Sequence, residues 1–175
     1  EIIVQDYMAT IHLGDMVGSM SVIRIDMLND VYAAYVKYID SLYKNVIKQG
    51  DFEAYLKARG NCGYYVTNDS VDLITLASIY ETASSPQLIS SDVNSVVYTQ
   101  SDLPYGHGLM AYCPYQSYDL YTQGRKSFTN LGYDEKVVKF YDELMSQRLA
   151  YMGEEYIDAY GGNWYVSSYD VAQDE

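Results

Sequence analysis

Between Met20 and Gly50 the chain changes its hydrophobic period, and that change restricts its fold class more than any other feature. Met20 to Asp26 is short and rich in Val and Ile, with Ser21, Arg24 and Asp26 in partial alternation, the pattern of a strand. Asn29 then offers an N-cap, and Val31, Tyr35, Tyr38, Ile39, Leu42 and Val46 recur at intervals of three or four until Gly50. A strand running straight into an amphipathic helix predicts a mixed α and β chain. With 175 residues, 49% of them apolar, there is material for one folded core.

The remaining pattern extends this reading. Ile2, Ile3, Val4, Tyr7, Met8 and Ile11 fit the end of an amphipathic helix cut off at its front. Asp51 can cap a short helix carrying Phe52, Tyr55 and Leu56, with Gly60 beyond its end and a loop from Gly60 to Gly63. A further helix is expected from Asp69 or Ser70, bearing Val71, Leu73, Ile74, Leu76, Ala77 and Tyr80. Ser85 followed by Pro86 signals the next, through Leu88, Ile89 and Val93.

Val96 to Gln100 and Leu109 to Pro114 are β-prone runs separated by Ser101, Asp102, Pro104, Gly106 and Gly108, and so are expected to pair with each other antiparallel. Residues 115–132 lack a sustained period and read as mostly irregular. Asp134 caps a long helix with one apolar row at Val138, Tyr141, Met145, Leu149 and Met152 and another at Val137, Phe140 and Leu144, stopped by Gly153. The tail from Glu154, with Trp164, Tyr165 and Val166, closes with a short strand or lies on the surface. No repeat and no long linker divides the chain. The expectation is a single domain or the C-terminal part of a larger one, a sheet-and-helix part over 1–114 and a helical extension over 115–175.

Charge narrows the partners. With 24 acidic and 11 basic residues the net charge is −13, which repels phosphate backbones and anionic headgroups, so nucleic acid and membrane surfaces are poor partners. Apolar runs fall far short of the ~20 residues a bilayer span needs. Tyrosine is over-used, 22 against 3 Phe and 1 Trp, which suits half-buried seams and, as an alternative, a stacking platform.

The chemistry-bearing groups are few. Cys62 and Cys113 do not make a disulfide framework, and His12 and His107 do not give them zinc-ligand spacing, so neither metal nor cofactor is expected. His107 and Cys113 suggest a dyad, but six extended steps separate their α-carbons by ~20 Å, whereas proton transfer needs about 3 Å. Cys62, in Gly60-Asn61-Cys62-Gly63, has only Arg59 beside it as a cation. Gly106-x-Gly108-x-x-Ala111 matches a loose dinucleotide fingerprint but opens a strand rather than a helix. Acid pairs such as Glu154 with Glu155, and Asp170 with Asp174 and Glu175, read as solvated surface.

One ordered set of segments rises above this background: Met20-Ser-Val-Ile-Arg-Ile-Asp26, Val71-Asp-Leu-Ile74, Val96-Val-Tyr98, Gly108-Leu-Met-Ala-Tyr-Cys-Pro114 and Phe128-Thr-Asn-Leu131. This order resembles the region downstream of the catalytic cysteine in clostripain-like cysteine peptidases, over most of residues 1–145. The resemblance implies an α/β fold, part of a caspase-like sheet flanked by helices with a mainly helical C-terminal region. It also implies endopeptidase cleavage after Arg or Lys by a His/Cys dyad. The family's His-Gly and Asp-Ala-Cys motifs belong upstream of the matched portion, and His107-Gly108 falls too late to stand for the first, so no catalytic residue carries over to this chain. The partners implied are an upstream catalytic segment of the same precursor and peptide or protein substrates with basic residues, in a secreted or cell-envelope setting. The alternative is a noncatalytic peptide- or glycan-binding module built on Tyr112, Tyr115, Tyr118 and Tyr121, and a third class is a thiol enzyme using Cys113.

Overall fold

The computed structural model describes residues 18–62, 64–65, 67–102, 108–115, 117–152, 155–157 and 163–165, together with Gln5 and Met8, which are helical. Its contacts divide the chain into two units, Glu1–Tyr112 and Cys113–Glu175. The expected helix over 1–19 lies outside the described residues apart from those two positions. Met8 is buried against Met20 and Tyr98.

In the first unit, β1 (Ser19–Ile23) ends sooner than expected. The Arg24 N–H donates to the Ser95 carbonyl at 2.7 Å, its guanidinium closes on Asp26 at 2.8 Å, and Ile25–Met27 becomes a 3₁₀ turn. This local pairing takes Asp26 out of the ladder. Helix α1 (Leu28–Leu42) starts one residue before Asn29 and without a side-chain cap. It continues as a π-helical stretch, Tyr43–Lys48, in which the Gln49 N–H reaches back to the Lys44 carbonyl at 3.0 Å. Gly50 follows at φ +80°. Val31, Tyr35, Tyr38, Ile39, Leu42 and Val46, the positions expected from the period, are all buried.

Helix α2 (Phe52–Gly60) follows Asp51, but that carboxylate does not cap it. It accepts the Tyr80 hydroxyl at 2.7 Å instead. Strands β2 (Tyr64–Tyr65) and β3 (Thr67–Asp72) then pair antiparallel, so the helix expected from Asp69 or Ser70 is a strand up to Asp72. Asp72 marks the switch: its Oδ1 accepts from the Thr75 N–H at 2.8 Å and the Thr75 hydroxyl at 2.9 Å, capping α3 (Leu73–Ile79). Helix α4 (Ser85–Ser95) is prepared by Thr82, whose N–H donates to Ser85 Oγ at 2.9 Å and whose Oγ1 accepts from the Ser84 N–H at 3.2 Å. Pro86 sits in the first turn, where no N–H is needed.

Strands β4 (Val96–Ser101) and β5 (Met110–Tyr112) are both present but do not pair with each other as expected. β4 takes β1, in the register Ser19↔Ser101 to Ile23↔Val96 with an irregularity at Val22/Ile23, while β5 takes β3 through Ser70↔Tyr112, Val71↔Ala111 and Asp72↔Met110. Gly18 and Asp102 tie the end of the first pair, since the Gly18 N–H donates to Asp102 Oδ2 at 3.1 Å and the Asp102 N–H to the Gly18 carbonyl at 3.0 Å. The unit is therefore mixed α/β with small antiparallel sheets, β1-β4 and β2-β3-β5. Its main core is helical: α4 packs on α1 and α3, burying Ala34, Ile39, Leu42, Leu76, Ala77 and Leu88.

In the second unit, the stretch expected to be irregular contains helix α5 (Tyr118–Asn130). Ser117 Oγ accepts from the Leu120 N–H at 3.3 Å to start it. It ends in a Schellman motif: the Tyr133 N–H bonds the Phe128 carbonyl and the Gly132 N–H the Thr129 carbonyl, both at 3.1 Å, with the Phe128 and Tyr133 rings 5.6 Å apart. Gly132 is at φ +76°, a conformation that a Cβ penalises. Helix α6 (Glu135–Met152) begins as expected, with Asp134 Oδ1 accepting the Lys136 N–H at 2.9 Å, and it buries Val137, Val138, Phe140, Tyr141, Leu144 and Met145. Gly153 lies outside the described residues. Beyond it β6 (Glu155–Ile157) pairs antiparallel with β7 (Asn163–Tyr165). Replacing the cap by Asp134→Ala is expected to cost about 1 kcal/mol, read from a shift in the urea unfolding midpoint. Among the described residues no helix is long and apolar enough to cross a membrane.

Candidate functional site

Four of the five segments that carry the family resemblance meet in pairs: Met20–Ile23 with Val96–Tyr98, and Val71–Asp72 with Met110–Tyr112. The second pair leads to the most constrained polar cluster in the molecule. The Leu109 peptide is held at both ends there: its carbonyl accepts the Leu73 N–H at 3.1 Å, and its N–H donates to Asp92 at 3.0 Å from Oδ1 and 3.3 Å from Oδ2.

Asp92 comes from α4 and is fully buried, and Ser95 Oγ donates to its carbonyl at 2.7 Å in the last turn. The carboxylate lies so close to Gly108 that a Cβ there would overlap its oxygen. Glycine is required at this position by close approach. Burial pushes the Asp92 carboxyl up to about 6; the hydrogen bond from Leu109 opposes that rise and the neighbouring Asp72 charge adds to it. A buried acid with this displacement is the feature that marks functional sites, but Asp92 presents no surface to a substrate. Its chemistry is that of a positioning group.

In the second unit, Asp142 of α6 gathers two partners from α5. Arg125 grips it with Nε on Oδ1 and Nη2 on Oδ2, both at 2.6 Å, and the Tyr121 hydroxyl donates to Oδ1 at 2.7 Å. The Arg125 guanidinium holds the Asp142 carboxyl below the usual carboxylate range, against partial burial and with help from Tyr121. Beside this grip is a groove of about 430 Å³ lined by Arg125, Thr129, Tyr133, Val138 and Lys139 among others.

The thiols do not line either feature. Cys62 is buried and donates to the Ala58 carbonyl at 3.5 Å, and Cys113 has no exposed surface, so neither can be approached by a peptide in this state. Both behave as small hydrophobes. His107, His12, Gly106, Glu154 and the acids from Asp170 on lie outside the described residues, as does the side chain of Glu155. Gly108 and Ala111 enter and form β5, not the start of a helix. The four tyrosines considered for a platform do not assemble one: Tyr121 is buried and bound to Asp142, and the Tyr115 ring is covered by the Arg148 guanidinium at 5.3 Å. Among the described residues, no group of three or more His, Cys, Asp or Glu is arranged to hold a metal ion.

A last feature of the first unit is apolar. Ile25 is 80% exposed, Val97 64%, Val93 53% and Val22 37%, values far above those of core residues, and they stand on β1, the 3₁₀ turn, α4 and β4, which touch one another. Sequence reasoning missed both Asp92 and this cluster of exposed side chains. In Ser90-Ser-Asp-Val-Asn-Ser95 the acid has the look of helix surface, and only the approach of Gly108 buries it. No family model, no curated protein and no solved structure matches this chain.

Proposed function

We propose that this chain is the downstream, structural portion of a clostripain-like cysteine endopeptidase that cleaves after Arg or Lys, with the His/Cys dyad on an upstream segment of the same precursor. The observation that carries the reading is the β1–β4 pair with its exposed Val22, Ile25, Val93 and Val97. A two-stranded ladder is marginal alone and gains stability from further strands or a covered face. The occupant is the upstream segment, adding a strand to the outer edge of β1 or β4 and covering these side chains, which extends the small sheets toward a caspase-like one.

Two further facts are compatible. Buried Cys113 leaves the nucleophile to be supplied from elsewhere, and the −13 charge favours approach of substrates bearing Arg or Lys. On this reading the enzyme acts at the cell envelope or outside the cell.

The test begins with the coding sequence ahead of Glu1, which should contain a His-Gly motif and then an Asp-Ala-Cys run. The chain is then purified alone and co-expressed with that segment, and both are assayed on an arginyl peptide. Turnover should appear only in the pair, exceeding the isolated chain by several orders of magnitude, as expected when a nucleophile is absent. Cleavage by the isolated chain, or an upstream sequence without these motifs, overturns the proposal.

A further inference from the structure

We propose that Asp92, Gly108 and Leu109 form an acid-sensitive latch on the entry to β5, which closes more firmly under mildly acidic conditions than at neutral pH. This goes beyond the peptidase reading and holds whether or not that reading does. The geometry is that of a device with one moving contact. Leu109 is fixed on its carbonyl side by a backbone bond from Leu73, which does not titrate, and on its N–H side by a carboxylate that does. Gly108 brings the chain against that carboxylate without a side chain between them, so the two cannot shift apart without exposing the buried acid.

The sign follows from where the proton sits. Burial raises the folded carboxyl to about 6, above the ordinary value near 4 that it has when the latch is open and solvated. The closed state therefore binds the proton more tightly. Its advantage is fully present at pH below about 4 and is lost as pH rises through 6. Neutral Asp92 keeps one carbonyl oxygen to accept the Leu109 N–H and no longer repels Asp72.

Other charges near the packed elements do not account for this response. Asp69 and Asp72 lie on β3, and Asp72 is the one whose charge reaches Asp92. On the 3₁₀ turn, Asp26 is paired with Arg24. On α1, Asp40 is paired with Lys44 and Lys37 donates to Gln87 at the surface. Helix α3 and strand β4 carry no charged residue, and Asp92 is the one charge on α4. His107 adjoins Gly108 in sequence and titrates in the same window, so the test separates it.

The experiment is hydrogen exchange at the Leu109 amide in the full chain, corrected for intrinsic rate, from pH 7.5 to pH 5.0. Protection should rise about tenfold over that range. In Asp92→Asn, which keeps the acceptor and removes the charge, protection at pH 7.5 should already be at the acid level and flat. His107→Gln should keep the wild-type rise. If Asp92→Asn does not fold, Asp72→Asn should move the midpoint of the rise to lower pH. A flat wild-type profile, a rise that survives in Asp92→Asn, an unmoved midpoint in Asp72→Asn or a rise abolished by His107→Gln overturns the latch.

Discussion

Gly108→Ala should destabilise the chain by about 3 kcal/mol, on the order of the cost of overpacking plus a weakened charge-assisted hydrogen bond. The added methyl has no space, because its position overlaps the Asp92 carboxylate and that carboxylate is enclosed. The acid must move, and moving it strands the Leu109 N–H and leaves a buried charge with less solvation. Urea unfolding at pH 7.5 reads the loss directly. A double-mutant cycle gives the cause: in an Asp92→Ala background the carboxylate is gone, so the same methyl should cost less than 1 kcal/mol. Equal costs in the two backgrounds would show that the glycine serves some other need.

Tyr38→Ala should be more damaging still, about 4 kcal/mol, as for other large aromatic truncations. The ring is fully buried on α1, and its hydroxyl donates to the Tyr80 carbonyl at 2.9 Å and the Leu76 carbonyl at 3.3 Å, tying α1 to the end of α3. Tyr38→Phe separates packing from polarity. The Leu76 carbonyl keeps the Tyr80 N–H at 3.0 Å, so the phenylalanine variant forfeits chiefly the bond to the Tyr80 carbonyl. That should cost about 1 kcal/mol. Both values come from the same denaturation curves, and a Phe variant as weak as the Ala variant would put the energy in the hydroxyl rather than the ring.

The helices with two reinforcing signals were legible from the residues. In α1 the apolar positions at intervals of three and four are the buried ones, and in α6 Asp134 supplies the cap where the period begins. Helix α5 had signals that were weaker because its burial is narrow: Tyr121 is the one fully covered side chain, and the remaining evidence lay at its ends, in Ser117 and in Phe128 through Tyr133. Strand identity was partly readable and strand partnership was not. Val96 to Gln100 and Leu109 to Pro114 are adjacent in sequence and similar in composition, yet each takes a partner from much earlier in the chain. That choice is made by how α3 and α4 pack, which no local pattern encodes. Asp72 illustrates the same limit at one residue, since an acid ahead of a helix reads equally as its first turn or its cap.

The candidate sites were less visible than the fold. Asp92 is set by a contact with a residue far along the chain, and Asp142 by two partners on another helix. Such groups gain their character from tertiary neighbours, whereas thiols and imidazoles draw attention by identity alone.

The wide turn from Tyr43 to Lys48 has a consequence for how this chain tolerates change in length. A ladder that reaches back five residues accommodates one more residue than a regular turn, and loss of that residue would rotate everything after it by about 100° and retract it by about 1.5 Å. Asp51, whose carboxylate meets the Tyr80 hydroxyl, sits just beyond the turn. The surplus residue thus works as a phase adjuster, setting the azimuth at which the acid faces its tyrosine, and single-residue deletions in this stretch would mistune a contact they never touch.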